Sequence, residues 1–227
     1  MKVLGLETSS KMGSVALNSR STYWEREKSH SEFVTYQVEK ILTESKLTAA
    51  ELDLLAVGIG PGSFTGIRVG LNIARAFSFV HKQPIFTCNS LLLIAWPVMA
   101  NVEKPVAVMV NAFRNMVYFA RYQMQNETLV ELTAPCAIPA QNLNSYISES
   151  HITLGDGFDA YQTQIDANLL PLLQRTSVYA DYPHAKSLVE LSQRPELKQQ
   201  FFAWDQVVPL YIRASEAEEK LSQKLFK

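Results

Sequence analysis

"AVGIGPGSFTGIRVGLNIARAF", residues 56–77, carries five of the nine glycines in a chain of 227 residues. The apolar run Leu54 to Val57 reads as a buried strand, Gly58 to Gly62 as a tight turn, and Ser63 onward as a helix reaching Val80. A strand, a glycine turn and a helix in this order can hold an anion on backbone N–H groups. Neither common phosphate signature is present, however. Gly66 is followed by Ile67 and Arg68 rather than by Lys and Ser/Thr, and Thr65 stands where a dinucleotide fingerprint needs its third glycine.

The helix after the turn is unusual in its faces. Stepping about 100° per residue, Gly66, Gly70 and Ala74 make a small-residue stripe flanked by Ile73 and Phe77, a surface that admits another backbone closely. Val69, Ala76 and Val80 occupy a second face and Ile67 and Leu71 a third, leaving Arg68, Asn72 and Arg75 as a polar edge. A helix apolar on nearly every side needs cover on nearly every side. Its own sheet covers one face; a neighbouring helix of the same chain or a partner must cover another. The preceding helix starts at the capping-box spacing of Ser29 and Glu32 and runs to about Ser45. Its inward stripe is Val34, Val38, Ile41 and Leu42, and Phe33, Tyr36 and Gln37 lie off that stripe. The surplus apolar surface predicts a partner interface. Phe33, Tyr36 and Gln37 belong to it on the first helix, and Ile67, Arg68, Leu71, Ile73, Ala74 and Arg75 on the second.

Outward from this pair, "KVLGLETSSKMGSVALN" reads as a hairpin with a polar tip, and Thr48 with Glu51 repeats the capping signature before Leu54. Pro84 to Cys88 predicts a strand and Leu91 to Ala100 a helix; Glu103, Lys104 and Pro105 mark a boundary between a first unit, 1–104, and a second, 105–227. The second unit opens with another strand, polar turn and strand ("PVAVMVNAFRNMVYFARYQM"), and "ITLGDGFDAY" (152–161) again runs from strand through glycines into a helix. This echo of the first half predicts two related α/β units with mixed sheets. The charged tail "ASEAEEKLSQKLFK" predicts a solvated helix.

Composition narrows the chemistry. With 21 basic and 22 acidic residues there is no bulk pull toward nucleic acid. Cys88 and Cys136 form no Cys-x-x-Cys pair and read as buried thiols. The greasiest run, Leu91 to Ala100, is too short to span a bilayer and contains Pro97, so the reading is a cytoplasmic protein without a membrane role. None of His30, His81, His151 and His184 has the spacing that puts two imidazoles on one helix face, so no metal site is assigned. No Gly-x-Ser-x-Gly elbow surrounds Ser9, Ser10 or Ser63. Glu7 and Asp156 sit at strand ends, where a carboxylate either holds a hydrated Mg²⁺ through water or accepts turn amides; the turn role is favoured for both.

"GIGPGSFTGIRVG" (Gly58 to Gly70), behind the opening "VLGLETSS", resembles the TsaB (YeaZ) family, which belongs to the bacterial machinery making threonylcarbamoyladenosine in tRNA. The likeness extends through the His30 helix, the hairpin from Val106 to Arg121, "LGDGFDAY" and "PLYIR" (Pro209 to Arg213). It implies an actin-like ATPase (ASKHA) fold of two related lobes, each a mixed sheet flanked by helices. It implies a non-catalytic subunit without cofactor or metal, which holds a TsaD-like catalytic paralogue in its working form, with a TsaE-like ATPase joining. The surplus apolar face of the helix pair predicts in addition a homodimer when that partner is absent, and the balanced charge predicts tRNA contact only through the complex. On this reading Gly58, Gly60, Gly62, Gly66 and Gly70 form a structural glycine loop of inherited phosphate-loop shape. The chain departs from the family at Asn111, Ala112, Phe113 and Arg114, where Asp-Ala-Arg is usual. The lost carboxylate argues against nucleotide or metal handling by the second lobe. The competing readings are an actin-like phosphotransferase, using the Gly58 to Gly62 and Gly155 to Gly157 turns on ATP, and a metallopeptidase.

Overall fold

A computed structural model describes residues 1–25, 30–176 and 181–214. Ser29, the proposed cap of the first helix, and the tail from 215 lie outside the described residues. In chain order the first half gives strands β1 (Val3–Glu7), β2 (Met12–Leu17) and β3 (Arg20–Glu25), helix α1 (His30–Glu44), β4 (Leu54–Gly58), α2 (Phe64–His81), β5 (Ile85–Cys88) and α3 (Ser90–Met99). The second gives β6 (Val106–Asn111), β7 (Met116–Gln125), β8 (Thr128–Pro139), β9 (His151–Leu154), α4 (Asp156–Tyr161), β10 (Leu173–Arg175), α5 (Ala185–Leu191) and β11 (Phe201–Phe202). The Thr48/Glu51 capping box closes a 3₁₀ turn at Ala49–Glu51 rather than a longer helix.

The described strands form two sheets of one design. The first runs β11-β5-β4-β1-β2-β3 and the second β10-β9-β6-β7-β8. In each, a meander of three antiparallel strands is followed by two strands laid parallel to the first. The echo between halves is thus a duplicated topology. The edge strands β3 and β8, whose sequences alternate polar and apolar less cleanly, were not legible beforehand.

Both faces of each sheet are covered, which is why the central strands read as unbroken apolar runs. Along β4 the side chains alternate between two cores: Leu54 and Ala56 join a central cluster, Leu55 and Val57 an outer one. The outer cluster lies under α1 and α2 and includes Val34, Val38, Ile67 and Leu71. The central cluster lies between the sheets, with α3 and α5 inside it. That position explains the greasiest segment: Leu91 to Ala95 are all buried because the first turns of α3 have protein on every side. A third cluster backs the second sheet.

The chain does not keep to its own side of residue 104. Helix α5 packs on β1, β2 and β4, the Ala185 amide donates to Ser14 Oγ at 2.8 Å, and β11 pairs with β5. The first sheet is therefore completed by residues from the second half. Cys88 is buried, whereas Cys136 is only half-buried, a correction to the reading of two buried thiols.

Candidate functional site

The carboxyl ends of β1, β4, β6 and β9 converge on a cleft of about 660 Å³ between the two lobes, the position where open α/β sheets usually expose their loops. Its rim includes Ser9 to Lys11, Pro61 to Phe64, Asn111 to Arg114 and Asp156.

The glycine loop is spent on holding this geometry. A Cβ placed on Gly66 would lie 2.0 Å from the Thr8 carbonyl oxygen, so only glycine lets α2 approach the turn after β1. Thr8 Oγ1 donates to the Gly66 carbonyl at 2.7 Å, and the Ser63 amide donates to the Ser9 carbonyl at 2.7 Å. Ser63 caps its own helix by accepting from the Gly66 amide at 3.3 Å. Amides of Ser63 and Gly66 that a phosphate loop would offer to an anion are thereby occupied. Gly62 and Gly70 face Ser9 and Thr8 in the same way, and Gly60, with φ 96°, sits beside the Ile67 side chain.

Gly58 leaves room for Glu7, whose carboxylate oxygen would be 1.8 Å from a Cβ there. Glu7 is fully buried, accepts from the Ser9 amide at 2.6 Å and from Ser90 Oγ at 3.0 Å, and Ser9 Oγ in turn donates to Ser90 Oγ at 2.8 Å. These are the turn bonds foreseen for it. Burial pushes the Glu7 carboxyl above its usual range, with the bonds from Ser9 and Ser90 opposing. A raised folded-state value contributes stability that is complete below the unfolded value near 4.5 and is lost as pH rises through the folded value. Glu7→Gln keeps the acceptor for Ser9 and can reverse the hydroxyl chain, so its melting temperature should exceed that of the parent at pH 7.5 and converge toward it near pH 4.5. Melting curves at the two pH values check this; a lower melting temperature at pH 7.5 would show that the ionised carboxylate is needed.

The second lobe repeats the device. Asp156 Oδ1 accepts from the Asn111 amide at 2.9 Å, the turn role expected of it. Burial raises its pKa, with the Asn111 bond opposing. Asn111 Oδ1 accepts from the Phe113 amide and from Tyr161 Oη, each at 2.8 Å, so Asn111 is a turn holder. Asp181 Oδ1 accepts from the Gly155 amide at 2.7 Å and pairs with Arg175 at 2.6 Å. At the mouth, Lys11 Nζ stands 4.9 Å from the Tyr182 ring centroid.

The outer face of α1 and α2 is the other candidate site, and here the expected residue set needs correction. Ile67, Leu71 and Ala74 are 1%, 2% and 0% exposed and belong to the chain's own outer core, so they cannot meet a partner. The two glycines of the small-residue stripe, Gly66 and Gly70, face Thr8. Gln37 is buried beside β3 residues Arg20 to Thr22. Phe33 turns toward the same edge, meeting Trp24 edge-on at 5.3 Å. Arg68 Nε donates to Tyr211 Oη at 2.8 Å and Arg75 Nη2 donates to the Val207 carbonyl, so both arginines are engaged by the C-terminal segment. That segment supplies cover on a side of α2 for which the sequence suggested a helix or a partner.

What remains outward is a different line. Val69, Ile73, Ala76 and Val80, spaced four, three and four, share one side of α2. Ala76 and Val80 are exposed and Val69 and Ile73 half-buried. Tyr36, Phe79 and Phe33 add exposed aromatic surface at 54%, 54% and 40%. Sequence reasoning missed Val207, and it noted Tyr211 and Arg213 only within "PLYIR" (Pro209 to Arg213), without a role.

The described helices include none long and apolar enough to cross a membrane. The family profile described as "TsaD: tRNA N6-adenosine threonylcarbamoyltransferase" matches residues 25–221. Among similar proteins, the "tRNA threonylcarbamoyladenosine biosynthesis protein TsaB" of Haemophilus influenzae is 27% identical, over 97% of this chain and 97% of that protein. The protein of the same description from Escherichia coli is 26% identical over 99% and 100%. The solved structure of YeaZ from Pseudomonas aeruginosa superposes with a TM-score of 0.80 at 22% identity, covering 92% of this chain and 99% of that one. Profile, full-length relatives and the duplicated two-sheet fold agree: the chain belongs to the TsaB (YeaZ) family, with the actin-like architecture of the TsaD group.

Proposed function

We propose that this protein works in threonylcarbamoyladenosine biosynthesis on tRNA as a non-catalytic subunit, by docking a TsaD-like catalytic paralogue on the outer side of α2. The names of its relatives support the pathway. The observation that carries the docking reading is the Val69, Ile73, Ala76, Val80 line, a coiled-coil-like seam with no described helix of this chain laid over its exposed members. A paralogue of the same fold would present an equivalent helix, and a second copy of this chain would do so when the paralogue is absent. A TsaE-like ATPase would join this assembly, and tRNA would be met through it. The internal use of the Ser63 and Gly66 amides supports the subunit reading over an ATP-dependent phosphotransferase.

Ala76→Arg tests this without disturbing the core, because Ala76 is exposed. The variant should melt like the parent, yet bind the TsaD-like partner at least tenfold more weakly in calorimetric titration and fail to support tRNA modification in a reconstituted mixture. A folded variant with unchanged partner affinity would remove α2 from the interface.

A further inference from the structure

We infer that residues 203–214 form a latch that holds the two lobes together across the mouth of the cleft. The segment leaves the first sheet at β11 and runs along α2. Val207, 1% exposed, sits in the outer core of the first lobe, and the Leu210 amide donates to the Ile59 carbonyl at 2.8 Å. These contacts root the strap beside the glycine turn. Tyr211 then stacks on Phe64 at the start of α2, with ring centroids 4.4 Å apart, while accepting from Arg68.

Two residues later the strap reaches the other lobe. Arg213 Nη1 donates to the carbonyls of Ala112 and Phe113 in the turn between β6 and β7. Ile212, between these two anchors, packs on the central cluster that both lobes share. Pro61, Phe64, Ala112, Phe113 and Arg213 all line the cleft, so the strap passes over its opening.

The contacted turn is one that needs holding. Phe113, Arg114 and Asn115 follow one another at φ 59°, 53° and 60°, in the left-handed region that side chains other than glycine rarely adopt. Such a run persists where surrounding contacts determine it. Its internal bonds include Ala112 N to Met116 O at 3.0 Å, Met116 N to Phe113 O at 3.1 Å and Phe113 N to Asn111 Oδ1 at 2.8 Å. The guanidinium adds charge-assisted bonds to two carbonyls of this turn from outside the hairpin. The strap thus has a firm root in one lobe and a polar, releasable tip on the other. Arg68, which Tyr211 engages, lies about 100° around α2 from Val69, so the latch does not depend on the face proposed above for the partner.

Hydrogen exchange on the full-length chain tests the latch, comparing the parent with Arg213→Ala and Arg213→Lys. Release predicts at least tenfold faster exchange at the Ala112 and Met116 amides in the Ala variant and an intermediate effect in the Lys variant. Amides of the sheet centres, 55–57 and 107–109, should keep parental rates. Parental exchange at Ala112 and Met116 overturns the proposal, as does an increase spread equally over both sheet centres, which would mean loss of global stability only. If Arg213→Ala is not recovered folded, the Lys variant is read by the same criteria.

Discussion

Leu71→Glu is expected to abolish soluble, folded protein. Leu71 is 2% exposed in the cluster under α1 and α2, with Leu55 and Val57 of the sheet and Val34 and Val38 of α1 in the same core. Removing the leucine from such a site costs about 2–5 kcal/mol. A carboxylate in its place has no cationic partner among these apolar neighbours. Neutralising or desolvating it adds several kcal/mol more, on the order of what an uncompensated buried charge costs. The sum is comparable with the whole stability of an ordinary domain, about 5–15 kcal/mol. Soluble yield and far-UV circular dichroism check it. A variant that melts within a few degrees of the parent would show that Leu71 faces outward, as the helical wheel by itself allowed. Set beside Ala76→Arg on the same helix, the pair separates the inward face of α2 from the outward one.

Gly66→Ala should lower the melting temperature by about 6–12 °C, the shift that roughly 3 kcal/mol produces in a chain of this size. The helical position would by itself favour alanine, by about 1 kcal/mol. The packing opposes it more strongly. The new methyl would meet the Thr8 carbonyl oxygen at 2.0 Å, and that oxygen belongs to backbone, which cannot rotate away as a side chain would. The start of α2 would have to withdraw from the β1–β2 turn, weakening the Thr8 Oγ1 bond to Gly66 and the Ser63 amide bond to Ser9. Overpacking of this kind costs about 1–3 kcal/mol, and two strained hydrogen bonds add about 1 kcal/mol each. Thermal melts measure the balance. An unchanged or higher melting temperature would mean that propensity outweighs the contact and that the turn yields freely.

Much of the architecture was legible before any coordinates because it depends on local pattern. The Leu54 to Val57 run, the glycine turn and the Ser63 cap specify β4, the turn and α2 through burial period, left-handed backbone and capping, all properties of neighbours in sequence. The hairpins at β1–β2 and β6–β7 and the second glycine turn before α4 follow from the same rules. Even the turn roles of Glu7 and Asp156 were within reach, since a carboxylate at a strand end next to small residues accepts local amides.

The faces of α2 were not legible, and the reason is physical. A helical wheel says which residues share a side but not what stands opposite, and α2 has apolar groups around most of its circumference. The amino-acid sequence alone determined that this helix must be covered on several sides, that two α/β halves repeat, and that the residues from Gly58 to Gly70 carry the family pattern. Only the tertiary structure decided which cover is internal. It set Gly66 and Gly70 against Thr8, put Ala74 in the outer core, and brought residues 203–214 back across more than a hundred positions to occupy Arg68 and Arg75. That left Ala76 and Val80 exposed on one side of α2, with Val69 and Ile73 on the same side half-buried against the outer core. Such long-range closures depend on the shape of the assembled core rather than on any window of sequence, so which side of the helix stays outward follows only from the chain's own return.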